Sequence, residues 1–462
     1  MKRFLCIVLS ICLLLSLCGC FGLKEDPNAL RVGFGRVDVT PGFSVGLGGY
    51  GNAETRRSTG VVDRLYVTCI AITKADETIL MLTADTLALG RATLSTFLPF
   101  VSSATGIARD KIFVGATHSH SAPDLSIEDA QCNAYKELFY TGATNAALAA
   151  LEDRSPATLK ATTTDIPGMN FVRHYKMADG SYAGSNFGSF TATTPVDYAT
   201  ETDPQMVLVQ FDRTKDKQDI LMMNWQAHPD WSSEIGTTLL SSSFVGPARS
   251  KLEQDSGMLV AYFTGASGNQ NPESRISADM HRLSWKSYGE ALADYAMKAL
   301  KDLKAVEDSG IQTKQTKVTV EVDHSWDHLV VEANDVFTVW KNQSKAAGDA
   351  LGRTYGFSSS YQARAIRTRA AMFPSEQMEL NVCRVGGIGF VMGSYEMFSD
   401  AGLYIKRNSP FDITFVISGN HTYIPSAAAF DYRSYESDTG LYAKGTAEKL
   451  ADEFVSMLKA VQ

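Results

Sequence analysis

Apolar runs of strand length alternate with segments of helical periodicity along most of the chain. The runs RLYVTCIAIT, TILMLTAD and KIFVGAT are rich in β-branched residues and almost continuously apolar, which is typical of strands in sheets covered on both faces. Between such runs, RATLSTFLPFVSSATG and AYKELFYTGATNAALAALED place apolar residues at the spacing of an amphipathic helix. The alternation predicts an α/β fold with a layered architecture.

Residues 30–462 are predicted to form one domain. Neither an internal repeat nor a low-complexity linker interrupts the pattern of strands and helices in the sequence. The nearest feature to a boundary is the segment 176–203, which is rich in Gly, Ser and Thr. Long irregular segments inside compact domains are often functional, so we expect this one to be a loop over a site.

Composition narrows the classes of function. The chain has 44% hydrophobic and 20% charged residues, which is typical of globular proteins with a large core. Its net charge of −8, without a basic cluster, argues against a nucleic-acid partner. Beyond Cys20 only Cys69, Cys132 and Cys383 remain, and none forms a Cys-x-x-Cys pair. We therefore expect any metal site to use histidine and oxygen ligands.

The N-terminus has the layout of an export signal. Lys2 and Arg3 precede the apolar run FLCIVLSICLLLSL. The following LCGC, which ends at Cys20, resembles a bacterial lipobox. This implies removal of residues 1–19, a lipid on the Cys20 thiol, and a tether, residues 20–29, that holds the protein to a membrane of the cell envelope. A plain cleaved signal or an N-terminal anchor is the alternative, because the apolar run alone does not distinguish them.

Four predicted strands end abruptly at residues suited to metal binding or proton transfer. These segments read FVGATHSHSAPD, MMNWQAHPDW, VMGSYEMF and VISGNHTYIPS. Because ligands collect at the carboxyl ends of strands in α/β sheets, we expect these ends to converge. His118 and His120, two residues apart, share one face of an extended chain. They are open to three interpretations: two ligands of one metal, one ligand beside a substrate-binding residue, or ordinary polar residues at a strand end.

Short blocks along the chain, read in order, resemble the N-terminal catalytic domain of neutral, non-lysosomal ceramidases. The blocks are GFGRVDVTPG with GLGGYGN, THSHSAPD, NFVRHY, NWQAHPDW, YFTGASGNQNP, GSYEMFS and YIPSAAAFDYRSYE. They span essentially the whole chain after the signal. The resemblance implies layered mixed β-sheets flanked by helices and an active site with a single zinc ion, Zn²⁺, per chain.

The resemblance also implies the zinc ligands. It places two histidine ligands at His118 and His228, a carboxylate at Glu396 and a tyrosine ligand at Tyr423. Neutral imidazole and hard oxygen ligands suit Zn²⁺, and a site that keeps room for water is typical of a catalytic centre. Zinc lowers the pKa of a bound water, so we expect a zinc-bound water to attack an amide carbonyl. The alternative for Tyr423 is a loop aromatic that packs on Pro425.

Four further residues are expected on the substrate side. The resemblance places His120, Arg173 and Tyr435 there, where they would stabilise the oxyanion or protonate the leaving amine. Asn271 stands where the family has a serine assigned as catalytic. Because asparagine cannot form an acyl-enzyme and the ligand set is complete, we favour the water route, with Asn271 as a hydrogen-bond donor to substrate. If the family chemistry needs the serine, the protein is inactive on amides or uses another chemistry.

Two carboxylates closely follow the histidine blocks. Asp124 and Asp230 come shortly after His120 and His228. Carboxylates in such positions can orient a histidine ligand through its second ring nitrogen. Surface turns use the same residue type, and this is the interpretation we favour for both.

The sequence therefore predicts an exported, lipid-anchored zinc hydrolase of the neutral ceramidase type. Its substrate is expected to be an amide, either an N-acyl sphingoid or a related N-acyl lipid. The chain stops before the C-terminal β-sandwich domain that ceramidases carry, and this difference concerns the substrate more than the chemistry. One alternative is a metal hydrolase on the same scaffold with a different amide or ester substrate, which Asn271 supports. Another is a non-catalytic envelope protein that binds zinc.

Overall fold

The computed structural model of the chain describes residues 26, 28–51, 53–184, 195–214, 216–272, 283–419 and 422–462. The predicted signal peptide and Cys20 lie outside the described residues, as does most of the predicted tether. The same holds for residues 185–194, within the loop expected over the site.

Strands and helices alternate along the chain as predicted. In chain order the strands are β1 (Arg31–Asp38), β2 (Gly60–Val61), β3 (Tyr66–Lys74), β4 (Glu77–Ala84), β5 (Ile112–Ala116), β6 (Ser155–Asp165), β7 (Asn170–Val172), β8 (His174–Met177), β9 (Tyr182–Gly184), β10 (Pro195–Tyr198), β11 (Gln205–Arg213), β12 (Ile220–Trp225), β13 (Leu239–Leu240), β14 (Leu259–Thr264), β15 (Gln270–Pro272), β16 (Lys304–Ala305), β17 (Ile311–Glu321), β18 (Ser375–Val385), β19 (Ile388–Gly393), β20 (Glu396–Met397), β21 (Ile413–Ile417) and β22 (Tyr423–Ile424). The helices are α1 (Arg91–Thr105), α2 (Ala130–Glu152), α3 (Ser232–Ile235), α4 (Val245–Ser256), α5 (Trp285–Ala299), α6 (Val330–Asn342), α7 (Lys345–Thr354), α8 (Ser360–Ala370), α9 (Ser399–Asn408), α10 (Ala427–Asp431), α11 (Tyr435–Thr439) and α12 (Thr446–Ala460). None of the helices in the described part of the chain is both long enough and apolar enough to cross a bilayer.

The strands form two principal sheets. The larger sheet has the order β14-β12-β11-β6-β1-β3-β4-β5, with β16 also paired to β6, and the smaller has the order β17-β18-β19-β21. Pairing is antiparallel in the middle of the larger sheet. It is parallel between β12 and β14, between β4 and β5, and between β19 and β21 of the smaller sheet. The predicted α/β fold with mixed sheets is therefore confirmed.

Side chains that alternate along the strands build a core on each face of the larger sheet. In β3, Ile70 and Ile72 point towards the smaller sheet and share a cluster with its Phe390. Cys69 and Ala71 point the other way and pack with α1 and α2. Helices α4 and α5 pack on the same outer face beside β12 and β14, while α9 and α12 pack on the outer face of the smaller sheet. Strands that are apolar on both faces thus account for the layered order of helices, sheet, sheet and helices.

The larger sheet curls so that its two edges meet. The Thr83 hydroxyl in β4 donates to the Tyr262 carbonyl in β14 at 2.6 Å. The Thr264 hydroxyl, at the end of β14, donates to the Thr117 carbonyl just beyond β5 at 2.9 Å. From the smaller sheet, the Ser418 amide beyond β21 donates to the Thr264 carbonyl at 2.9 Å. These bonds hold the carboxyl ends of β5, β14 and β21 side by side, so the segments that follow them share one rim.

Three cysteines are buried in the described part of the chain. Cys69, Cys132 and Cys383 are free thiols. Burial raises the pKa of the Cys69 and Cys383 thiols, as befits small apolar side chains in a core. Both residues are therefore core positions.

Candidate metal centre

Three histidines meet at the rim formed by the strand ends. β5 ends at Ala116, and the chain then turns through His118, which has a positive φ of 67°. Side-chain-bearing residues rarely adopt this conformation, and such cases concentrate at functional sites. The Nε2 atom of His228, beyond β12, lies 3.1 Å from Nε2 of His118 and 3.1 Å from Nε2 of His120. All three side chains are buried, and together they form a group that could hold a metal ion.

Backbone carbonyls set the tautomers of two of these rings. Nδ1 of His118 lies 2.8 Å from the Leu87 carbonyl, and Nδ1 of His228 lies 3.2 Å from the Ser267 carbonyl. A carbonyl only accepts, so each Nδ1 carries a proton. In the Nδ1-protonated neutral form of imidazole, Nε2 keeps the lone pair that can bind a metal ion. Burial, together with the neighbouring His118, lowers the pKa of His228 well below its usual range, so this ring is neutral at pH 7.

Glu396 adds an oxygen to the cluster. It begins β20, which follows β19 of the smaller sheet, and its Oε2 lies 3.3 Å from His118 Nε2 and 3.9 Å from His228 Nε2. The side chain is buried, and Oε2 has no hydrogen-bond partner among the described residues. Lone pairs of neutral imidazoles and a carboxylate oxygen repel one another unless a cation lies between them. The donor set therefore fits a divalent metal ion of the borderline class that includes zinc.

His120, which the resemblance placed on the substrate side, is the third member of the histidine cluster. Its Nδ1 lies 3.5 Å from Oδ1 of Asp230, and the Asp230 carboxylate in turn accepts a hydrogen bond from the Tyr50 hydroxyl. Burial raises the pKa of Asp230 to about 8. Asp230 is buried, with 8% of its surface exposed, so it does not occupy the surface turn we favoured. It lies instead beside the His120 ring, although no described group forms a hydrogen bond with His120 Nδ1.

Tyr423 lies beside Glu396, because β20 and β22 pair in parallel with these two residues in register. Its hydroxyl accepts a hydrogen bond from Arg173 Nη2 at 3.1 Å. Burial and the charge of Glu396 raise the pKa of Tyr423 well above its usual range. The hydroxyl therefore keeps its proton in the absence of a metal ion and has that proton to donate.

Arg173 is held by a carboxylate that is not among the residues predicted from the sequence. Its Nε donates to Oε1 of Glu436 at 2.6 Å, and His174 Nε2 lies 2.7 Å from Oε2 of the same carboxylate. Burial opposes ionisation of Glu436, but Arg173 and His174 outweigh it and hold its pKa well below the usual range. Glu436 directly follows Tyr435 in the block YIPSAAAFDYRSYE, and this position is the sequence signal that could have identified it as a site residue.

The two remaining substrate-side candidates also lie near Arg173. Asn271 is buried, and its Oδ1 accepts a hydrogen bond from Arg173 Nη1 at 3.4 Å. The ring of Tyr435 meets the ring of Tyr423 edge-on, with 6.2 Å between centroids. Burial raises the pKa of Tyr435 to about 12, so its hydroxyl is a proton donor at neutral pH.

A cavity of about 530 Å³ opens onto this group. It reaches the histidine cluster, Glu396 and the tyrosines, and it extends outwards to α6, α8 and the loop that carries Tyr50. The predicted site residues that line it are His118, His120, Arg173, Glu396, Tyr423 and Tyr435, joined by Asp124 and Asp230. Asp124 accepts hydrogen bonds from the amide and hydroxyl of Ser126, which is the turn role expected for it.

Comparison with known proteins agrees with the resemblance seen in the sequence. The family model described as neutral/alkaline non-lysosomal ceramidase, N-terminal, matches residues 30–267, just over half of the chain. No curated protein matches the chain. The matched segment carries Arg173 and the three histidines of the cluster.

Solved ceramidase structures share the fold. The superposition on the neutral ceramidase from Pseudomonas aeruginosa covers 94% of this chain and 75% of the ceramidase chain, with a TM-score of 0.70 and 15% sequence identity. The superposition on a structure described as ceramidase complexed with C2 covers the same fractions of the two chains, with a TM-score of 0.69 and 15% sequence identity. At this identity the structural likeness establishes the fold alone. Because the family model matches more than half of the chain, the chain belongs to the neutral/alkaline non-lysosomal ceramidase family.

Proposed function

We propose that this protein is a metal-dependent amide hydrolase of the neutral ceramidase type, acting on an N-acyl sphingoid or a related N-acyl lipid. The observation that carries the proposal is the convergence of three imidazoles and the Glu396 carboxylate at a cavity, in a member of this family. Oε2 of this carboxylate has no hydrogen-bond partner among the described residues. Three nitrogens and one oxygen of this kind favour zinc among the divalent metals.

The residues that would hold the ion are His118, His228 and Glu396, with His120 as a third imidazole within reach. A divalent cation there would polarise a carbonyl oxygen and make a water molecule more acidic. Tyr423 remains a candidate ligand on resemblance, and its hydroxyl is already engaged by Arg173. Asp230, whose Oδ1 lies 3.5 Å from His120 Nδ1, is the carboxyl group that would orient the His120 ring if a hydrogen bond formed between them.

The side chains around the cluster supply donors for a substrate. Arg173 is charged, because its ion pair with Glu436 outweighs the effect of burial and raises its pKa further above the usual range. The Tyr423 and Tyr435 hydroxyls keep their protons at neutral pH and border the same cavity. A charged guanidinium and neutral phenols are the groups that stabilise negative charge developing on a carbonyl oxygen. Either phenol would also protonate a leaving amine.

Asn271 fits a positioning role in this scheme. Its Oδ1 accepts from Arg173, so the amide helps to hold the guanidinium that faces Tyr423. It contributes no nucleophile, which favours a route without an acyl-enzyme. This is why the proposed chemistry depends on the metal centre.

We also propose that the protein acts at a membrane surface of the cell envelope, attached through a lipid on Cys20. The support is the sequence alone: an apolar run after Lys2 and Arg3, followed by LCGC. This location would bring the cavity close to lipid substrates.

A panel of ceramides and related N-acyl lipids tests the proposed function. The purified protein is incubated with each lipid, fatty acid and amine release are followed by mass spectrometry, and bound metal is quantified in the same sample. We expect release by the parent, and loss of both release and metal in His228→Ala. His324→Ala is the matched control, since His324 lies outside the cluster with its Nδ1 2.8 Å from Asp327.

The control protein should retain both metal and activity. A parent that binds metal but releases no fatty acid from any lipid would contradict the lipid amidase proposal. It would favour a different amide or ester substrate on the same scaffold. One structural observation already supports that second candidate: the outer cavity is lined by charged as well as aromatic side chains.

A further inference from the structure

The outer part of the cavity is built by helices beyond the segment matched by the family model. α6, α7 and α8 enclose a small apolar core of their own around Val336 and Ile366. From these helices Trp340, Tyr361 and Arg364 line the cavity. The Tyr361 hydroxyl donates to the Tyr50 carbonyl at 2.7 Å, which joins α8 to the loop beside the metal centre.

A continuous wall of aromatic rings leads from these helices to the metal centre. The rings of Trp340 and Tyr361 meet edge-on with 5.2 Å between centroids. Tyr361 meets Tyr435 at 6.0 Å, and Tyr435 meets Tyr423 at 6.2 Å. Tyr423 lies in register with Glu396 on the neighbouring strand. Such a wall suits an apolar or flat segment of substrate that extends from the metal centre towards the mouth of the cavity.

Arg364 stands at the outer end of this wall. Its guanidinium carbon lies 5.3 Å from the centre of the Tyr361 ring and 5.8 Å from that of Trp340. Among the described residues, this guanidinium donates no hydrogen bond and forms no ion pair. The aromatic contacts restrict the side chain while leaving its N–H donors unused by any described residue.

The charged residues near Arg364 have partners of their own. Lys341 pairs with Glu54 at 3.0 Å, and Lys345 pairs with Asp349 at 2.7 Å. On another part of the lining, the Asp124 carboxylate accepts from the Ser126 amide at 2.9 Å and from its hydroxyl at 2.6 Å. Arg364 is thus a cation that lines the cavity and forms no ion pair with any described carboxylate.

We propose that Arg364 binds an anionic group of the substrate, and that the aromatic wall carries the segment between this group and the scissile amide. The inference rests on the proposed function and narrows its substrate class. The substrate would be an N-acyl compound with a carboxylate or a phosphate separated from the amide by an apolar or ring-bearing segment. A guanidinium recognises both anions through paired N–H donors.

Matched soluble amides test the inference. The three compounds are 6-(octanoylamino)hexanoate, 6-(octanoylamino)hexyl phosphate and the neutral 6-(octanoylamino)hexanol, with amine release followed for each. We expect the parent to hydrolyse at least one anionic compound with a kcat/KM about five- to tenfold above the alcohol, mainly through KM. Comparison of the two anions identifies which one the subsite takes. The preference should shrink as salt is raised, because the guanidinium is solvent-exposed.

Arg364→Gln is expected to bring the ratio of anionic to neutral kcat/KM close to one. A ratio measured on one protein cancels any general loss of activity. Arg367→Gln is the matched control on the same helix, since Arg367 already donates to Asn334 and packs over Phe337. The control should keep the parent ratio. An absent preference in the parent, a ratio unchanged in Arg364→Gln, or an equal fall in the Arg367 control would each overturn the inference.

A binding measurement separates this inference from the proposed function. Calorimetric titration with octyl phosphate and octanoate, which contain no amide, reports the anion subsite whether or not hydrolysis occurs. Binding that is lost in Arg364→Gln and kept in Arg367→Gln supports the subsite even if none of the amides is cleaved. Hydrolysis that depends on His228 but proceeds equally well with charged and neutral substrates supports the proposed function and contradicts the anion subsite.

Discussion

Arg173 illustrates at the scale of one residue how a charge is kept inside this protein. The side chain is 3% exposed, and its guanidinium contacts Glu436, Tyr423 and Asn271. Glu436 is itself fully buried and also faces His174. A buried ion is tolerated only when a counterion and hydrogen bonds replace the lost water. The local environment of Arg173 therefore depends on Glu436 more than on any other described side chain.

Glu436→Gln is predicted to destabilise the protein strongly. Loss of one partner leaves Arg173 as a buried charge without a counterion, so we expect the free energy of unfolding to fall by about 3–5 kcal/mol. Urea denaturation of the parent and the variant at neutral pH measures this difference. In the control, Glu201→Gln removes an ion pair with Arg407 that is more than half exposed, and its effect should stay within about 1 kcal/mol.

The pH dependence of unfolding provides the second measurement on Glu436→Gln. Arg173 and His174 depress the pKa of Glu436 in the folded state, whereas in the unfolded state it returns to about 4.3. As the pH falls, the unfolded chain takes up this proton first, so stability present above about pH 4.3 is lost below it. The variant should show a flatter decline on acidification. Identical slopes for parent and variant would contradict the pKa assignment.

At the scale of elements, α2 lies directly on the backbone of β1. A Cβ atom built on Gly35 would come within 2.1 Å of the Ala146 carbonyl oxygen, and one on Gly33 within 2.1 Å of the Ala150 carbonyl oxygen. Both alanines are fully buried. Glycine on the strand and alanine on the helix thus permit a close approach that larger side chains would prevent.

Gly35→Ala is predicted to weaken the packing of α2 on the sheet. The added methyl group collides with helix backbone, which cannot rotate away as a side chain can, so we expect a loss of about 1–3 kcal/mol or more. Thermal unfolding measures the effect. Gly42→Ala is the control, because a Cβ on Gly42 meets nothing within 4 Å and should leave the melting temperature nearly unchanged. Equal effects of the two substitutions would contradict the close-packing argument.

At the scale of the whole molecule, the candidate metal centre joins the two principal sheets. His118 and His120 follow β5 and His228 follows β12 in the larger sheet, whereas Glu396 follows β19 in the smaller sheet. An ion bound by these groups would bridge the layers on the side where the carboxyl ends of the strands meet. Because an unfolded chain cannot present the four groups together, binding free energy would appear as stability.

Removal of bound metal is predicted to lower the melting temperature of the protein. Zinc at about a hundred times its Kd should stabilise the folded state by about 2.7 kcal/mol over the chelated protein. Calorimetry with chelator, and then with added zinc, measures the change. His228→Ala should melt at the same temperature in both conditions. If neither chelator nor added zinc changes the melting temperature of the parent, the result would contradict a metal centre at this site.

The sequence alone was sufficient to predict the layered α/β fold, strands β3, β4 and β5, helices α1 and α2, and the family. These features are carried by local signals: the period of apolar positions, the β-branched runs and the short blocks at the strand ends. His118, His228 and Glu396 were assigned through the resemblance to the ceramidase family, and each of them directly follows or lies close to an apolar strand whose end could be located from the sequence.

Tertiary structure alone decided which side chains meet. His120 joins the histidine cluster, Asp230 is buried against it, and Glu436 pairs with Arg173 across 263 residues of sequence. Arg364 keeps its donors unused in the described part of the chain, although its sequence context resembles that of any surface arginine. Contacts of this kind depend on how the larger sheet curls and on how helices pack over the cavity. They arise from long-range packing, which periodicity and motif spacing along a single chain do not encode.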